Sequence, residues 1–109
     1  MRIRLRVALL TLPVILLSPA PAFAAERSEL WKANCAKCHG EDGRSRTEEG
    51  KKKGARDLTK AAWQKSVSDD RFARSITRGR DKMPSFSAVL SPEQVKELVK
   101  EVRSLAAAE

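Results

Sequence analysis

Both cysteines of this 109-residue chain and its only histidine stand within five positions, Cys35-Ala36-Lys37-Cys38-His39, with Gly40 directly behind them. Thiols and imidazoles hold metals, form disulfides and attack electrophiles, so one short turn concentrates that chemistry. A structural zinc ion takes four Cys or His ligands, and the chain has three. A thioredoxin-like dithiol needs a strand-helix-strand scaffold, and no alternating apolar run supplies one. A disulfide across two intervening residues closes a ring too small to staple much, and it leaves His39 without a role.

The remaining use is C-x-x-C-H as the covalent attachment site of a c-type haem. Positions i, i+3 and i+4 share one helix face, so Cys35 and Cys38 can reach two vinyl groups on one haem edge while His39 approaches the iron. A second axial ligand decides between electron transfer and ligand binding. Apart from Met1 the chain has one methionine, Met83, in the stretch G-R-D-K-M-P-S-F. A lone methionine is more often core filler. Met83, however, lies between Arg80-Asp81-Lys82 and Pro84, off any periodic apolar face and beside stiff backbone. Histidine/methionine ligation is that of c-type electron carriers, and a lysine is the other donor the residues leave open.

With these two motifs stand "DLT" at 57–59, Trp63, "SDDRFARSITRG" at 68–79 and "LSPEQVKELVKEVRSL" at 90–105. In this order they make residues 26–106 resemble a small bacterial monohaem class I cytochrome c. The resemblance implies an all-α class I cytochrome c fold, three to five helices wrapped around one haem c bound covalently through Cys35 and Cys38. It implies His39 and Met83 as axial ligands. It also implies a loop carbonyl just before Asp57 that receives the second nitrogen of the histidine; proline is frequent there, and this chain has Arg56. Trp63 would pack near the haem propionates and donate its N–H to one, the alternative being plain core packing. Such proteins often carry glycine near Arg27 and an aromatic near Glu101, and this chain has neither.

The elements that must position these donors follow from local signals. Residues 26–34 contain no Gly or Pro, carry Glu26 and Glu29 early and run into the haem motif, with Gly40 as a stop. Residues 41–57 lack apolar periodicity and read as a loop. A short helix from Thr59 would use Leu58 and Trp63 as a hydrophobic staple. Ser68 caps a helix whose Phe72 and Ile76 share a face and whose end is Gly79. Ser91-Pro92-Glu93-Gln94 opens a last helix with a capping box, and Val95, Leu98, Val99, Val102, Leu105 and Ala106 form its stripe. That stripe is expected to pack on Leu30 and Trp31 of the first helix.

Arg2, Arg4 and Arg6, the apolar run from Val7 to Leu17, and Ala22-Phe23-Ala24 outline a signal peptide over residues 1–24, cleaved on export to the periplasm. The run is shorter than the ~20 apolar residues that cross a bilayer. Residues 25–109 then form one cytochrome c domain, small enough to need a prosthetic group as part of its core. Loss of three arginines and no acid lowers the formal charge from +8 to +5. Lys37, Lys51, Lys52, Lys53, Arg78, Arg80 and Lys82 flank the two motifs and would steer a redox partner with an acidic docking surface. Export and the scarcity of aromatics argue against nucleic acid. The function expected is a monomeric, non-enzymatic periplasmic one-electron carrier with no membrane span in its mature part. The alternatives are a haem subunit held in a larger oxidoreductase complex and a five-coordinate gas-binding or catalytic haem protein.

Overall fold

The computed structural model describes residues 3, 7–18 and 26–107, and among them it holds six helices and no strand. They are α1 (Glu29–Asn34), α2 (Ala36–His39), α3 (Glu48–Lys53), α4 (Ala61–Lys65), α5 (Asp69–Arg78) and α6 (Pro92–Ser104). The all-α expectation holds, and six helices replace the three to five expected.

One addition is a division of the first helix. Cys35 keeps a right-handed conformation (φ −116°, ψ −39°) between α1 and α2. Its N–H donates to Trp31 O at 2.8 Å and its carbonyl accepts from His39 N at 2.9 Å. Bonding thus runs through the break, which α1 enters under a Ser28 cap that accepts from Trp31 N at 3.1 Å.

The other addition, α3, falls inside the stretch expected to be a loop. Thr47 accepts from Gly50 N at 2.9 Å, Glu48 and Glu49 stand on the positive end, Lys51–Lys53 on the negative end, and left-handed Gly54 closes the helix. All its stabilising signals are polar, so a search for apolar periodicity passes over it. Helix α4 begins at Ala61 after Lys60, which places Gln64 rather than Trp63 at the staple position.

Serine caps start the two longest helices as the sequence reading expects. Ser68 accepts from Arg71 N at 3.2 Å, and Ser91 and Gln94 exchange both bonds of a capping box at 3.2 and 2.9 Å. The core gathers Trp31, Leu58, Phe72, Ile76, Leu90 and the α6 stripe Val95, Leu98, Val99, Val102 and Leu105. Helix α6 packs on α1, as expected, and more extensively on α5. In place of the absent glycine and aromatic, the α1–α6 crossing has a polar clasp. Ser28 donates to Glu101 from its backbone N–H at 2.9 Å and from its hydroxyl at 2.5 Å.

Residues 7–18 adopt no regular secondary structure, and their large apolar side chains, from Val7 at 75% to Leu10 at 91%, are exposed. No helix among the described residues is long and apolar enough to cross a membrane. Arg2, Arg4, Arg6 and the Ala22-Phe23-Ala24 cleavage site lie outside the described residues.

Candidate functional site

The turn that carries Cys35, Cys38 and His39 is held from the side by α3. Thr47 donates its hydroxyl to Lys37 O at 2.7 Å and Cys38 O at 2.9 Å. Gly50 lies directly on the Cys38 carbonyl: a Cβ there would stand 2.2 Å from that oxygen. From the other side Trp31, 1% exposed, donates its indole N–H to Gly40 O at 3.0 Å, and its ring lies 6.3 Å from that of His39.

His39 Nδ1 is 3.1 Å from Arg56 O and 3.1 Å from Ser45 Oγ. A carbonyl only accepts, so Nδ1 carries the hydrogen and Nε2 keeps its lone pair. Burial lowers the pKa of His39, opposed by the Arg56 carbonyl, and so favours the neutral ring that a metal needs. The carbonyl expected before Asp57 is therefore present without proline. Ser45 was not foreseen: it is buried, takes the left-handed conformation at φ 59°, and donates its hydroxyl to Arg56 O. Only its position six residues past His39 hints at this, because the partner carbonyl is eleven residues further on.

Cys35 and Cys38 are free, half-buried thiols, not a disulfide. Burial, with the Glu101 carboxylate adding to it, pushes the Cys35 thiol up to about 12.

Met83 is delivered by the end of α5. Gly79 takes φ 75°, and a Cβ on it would meet Met83 O at 2.6 Å, so only glycine admits the turn. Arg80 and Met83 then exchange both backbone bonds at 3.0 and 2.8 Å around Asp81 at φ 50°. Beyond Pro84, Ser85 Oγ donates to Thr77 O at 2.5 Å and Phe86 N to Ile76 O at 3.0 Å, which satisfies two of the last four carbonyls of α5. The methionine is thus fixed by backbone on both sides.

Cys35, Trp63 and Met83 all lie half-buried against one core, together with Leu30, Val67 and Phe86. Trp63 packs 5.4 Å from the Phe72 ring, and the Arg56 guanidinium stands 4.8 Å over its face. Two polar anchors, buried Gln64 and half-buried Arg103, also escaped the sequence reading. Gln64 Nε2 donates to Leu58 O and Val102 O, both at 2.7 Å, and Arg103 donates to Gln64 O and Val67 O, both at 2.5 Å.

This donor set fits a covalent haem. It offers two free thiols in one helical turn, an imidazole whose outer nitrogen is already occupied, a thioether on a fixed loop, and several apolar side chains left half-covered beside them.

A family model described as cytochrome C oxidase, cbb3-type, subunit III matches residues 22–100. The FixP subunit of a cbb3-type cytochrome c oxidase from Azorhizobium caulinodans is 36% identical over 90 residues, 81% of this chain and 29% of that protein. The CcoP subunit of a cbb3-type oxidase from Rubrivivax gelatinosus is 35% identical over 98 residues, 88% of this chain and 30% of that protein. The chain therefore spans under a third of the length of these relatives. Among solved structures, the c-type cytochrome KustC0563 superposes with a TM-score of 0.68 at 39% identity, covering 72% of this chain and 94% of that one. A point mutant of the same cytochrome gives 0.65 at 40% identity, over 70% and 93%.

Proposed function

Because the chain belongs to the cytochrome c oxidase, cbb3-type, subunit III family, we propose that residues 25–109 form a one-electron carrier domain. Cys35 and Cys38 hold haem c covalently, and His39 Nε2 and Met83 Sδ ligate its iron. Bound haem supplies a one-electron ferrous/ferric couple. The observation that carries the reading is the tie from His39 Nδ1 to Arg56 O at 3.1 Å, which leaves Nε2 as the donor directly after the two thiols.

Each residue then has a task. Arg56 and Ser45 hold the imidazole in one tautomer and orientation. The Gly79–Met83 turn presents the thioether without a search through rotamers of a free loop. Trp63, with Arg56 over its face, would stand beside the cofactor's propionates. With both His39 and Met83 as ligands, the haem would have no open coordination position for substrate, which favours electron transfer over catalysis.

Residues 1–24 are the export signal and the site of action is the periplasm. The absence of regular structure and of burial in residues 7–18 supports a leader separate from the domain. The partners are redox proteins with acidic surfaces, and the free carrier is a monomer. A second reading keeps the same chemistry inside an oxidase-type assembly, and the relatives favour it, since they are oxidase subunits of which this chain matches under a third.

Absorption spectra of the exported protein in both oxidation states, with and without carbon monoxide, test the ligation. A low-spin haem with a methionine-to-iron charge-transfer band, lost in Met83→Ala and unresponsive to carbon monoxide, is expected. A high-spin haem that binds carbon monoxide readily would overturn it. Recovery as a free monomer or as part of a larger membrane complex separates the two readings.

A further inference from the structure

Arg71, Arg74, Arg78 and Arg80, with Ser75 and Gly79, line an open surface groove of about 300 Å³. Positions 71, 74, 75 and 78 share one face of α5, and Phe72 and Ile76 on its other side are buried in the core. Ion pairs among the described residues reach none of Arg71, Arg74 and Arg78, and Arg80 meets only the exposed Asp81 at 3.9 Å. Like charges three and four apart weaken a helix, so this stripe carries a cost that the fold itself does not require. The lysine run in α3 is shorter, three consecutive residues of a six-residue helix, and of these Lys52 is shared between Glu48 at 3.5 Å and Glu49 at 4.0 Å.

The stripe is contiguous with the electron-transfer site. Arg78 and Arg80 flank Gly79, and Arg80 is bonded back to Met83 through both backbone groups. From Arg71 to Arg78 it runs along eight residues of helix, roughly 10 Å, the length of a row of carboxylates rather than of one small anion. Guanidinium groups pair carboxylates bidentately, which favours a protein surface rich in Asp and Glu. Among described residues 26–107 the exposed large apolar side chain is Val89, so the face offers no apolar insertion into a lipid surface and no apolar patch for a permanent contact.

We infer that this arginine face of α5 is the surface on which the protein docks an acidic protein partner for electron exchange. The inference rests on the electron-transfer reading above. It selects α5 and the Met83 turn over Lys51–Lys53 as the site of the encounter.

The test uses the haem-loaded protein and an acidic flavodoxin as electron donor, with the bimolecular rate followed against ionic strength. Arg71→Glu/Arg78→Glu is compared with Lys51→Glu/Lys53→Glu, which makes the same change in net charge on α3. The arginine pair is expected to lose about 10-fold or more in rate at low salt and most of the salt dependence, while the lysine pair loses under about 3-fold. Equal losses in both would mean that net charge alone steers the encounter and would overturn the inference, as would an unaffected arginine pair. Arginine-dependent sedimentation with phosphatidylglycerol vesicles at physiological salt, without an effect on the flavodoxin rate, would overturn it in favour of a membrane surface. Reduction by a small-molecule reductant is the separate control. If the unsubstituted protein is not reduced even by that reagent, the electron-transfer reading fails rather than the docking surface.

Discussion

Gly50→Ala separates two pictures of α3 by the sign of its effect. On a solvent-facing helix the exchange stabilises by about 1 kcal/mol, because alanine is the better helix former. In this structure the added methyl would lie 2.2 Å from Cys38 O and 3.0 Å from both Ser45 O and Thr47 Oγ1. Two of these obstacles are backbone carbonyls, which have no rotamer into which to escape. Helix α3 must therefore withdraw by roughly 1 Å, and that stretches the Thr47 bonds to Lys37 O and Cys38 O from 2.7 and 2.9 Å beyond hydrogen-bonding range. Loss of the one hydroxyl hydrogen shared between these carbonyls costs about 1–3 kcal/mol and the overpacking about 1–3 kcal/mol more. After the gain in propensity of about 1 kcal/mol the net loss is about 1–5 kcal/mol. Urea unfolding of the haem-loaded protein at pH 7 measures it, with Gly54→Ala as comparator. Nothing lies within 4 Å of a Cβ at Gly54, so its cost is that of the left-handed conformation alone, about 1–2 kcal/mol. A neutral or stabilising Gly50→Ala would show that α3 does not seat on the Cys38 carbonyl.

Ser45→Gly removes a hydroxyl acceptor from His39 Nδ1–H while relieving the φ 59° strain, so stability changes by under about 1 kcal/mol yet the ring proton exchanges faster with solvent by NMR. An unchanged exchange rate would show that the hydroxyl does not act on the ring. Arg103→Lys loses the two-pronged contact with Gln64 O and Val67 O and the stacking 4.4 Å over Phe72, for about 2–3 kcal/mol in urea unfolding. Asp57 accepts from Thr59 Oγ1 at 2.7 Å and Thr59 N at 2.9 Å, and the Thr59 hydroxyl chiefly holds its carboxyl below the usual range. Its folded-state pKa is depressed, so its stabilisation is present above the unfolded value near ~4 and fades as pH falls through the depressed value. The urea midpoint should fall more steeply below about pH 4 in the unsubstituted protein than in Asp57→Asn. Gly79→Ala should weaken methionine ligation, read as loss of the charge-transfer band, because its methyl and Met83 O would be 2.6 Å apart.

The candidate donors were legible because their chemistry is local. C-x-x-C-H needs one helical turn, and Met83 stands out as the lone thioether beyond Met1. Helix starts at Ser68 and Ser91 were legible for the same reason, since a cap and its partner lie three residues apart. The misreadings share an opposite cause. Helix α3 shows no apolar stripe because it meets the haem-motif turn through Gly50 and Thr47, a backbone contact and a hydroxyl, and neither has a periodic trace. Gln64 and Arg103 close α4 onto α6 across 38 and 39 residues, and nothing at either end announces the other. The α1–α6 crossing lacks a glycine and an aromatic, and Ser28 with Glu101 fills that place by polar contacts whose two ends lie 73 residues apart.

These long-range polar contacts fall largely on one kind of partner. Thr47, Ser45, Gln64, Ser85 and Arg103 all donate to main-chain carbonyls, and every one of those carbonyls lies in or beside a segment that places a donor or closes the core around it. A domain whose residues 26–107 bury only ten large apolar side chains has little packing with which to hold loops still. Fixing backbone by side-chain bonds substitutes for that packing at the positions of His39 and Met83. Groups so fixed need to move little when the charge at the site changes by one, and a small structural response is what a fast electron carrier requires. Loosening Arg56 or the Met83 turn should therefore slow electron exchange before it unfolds the protein.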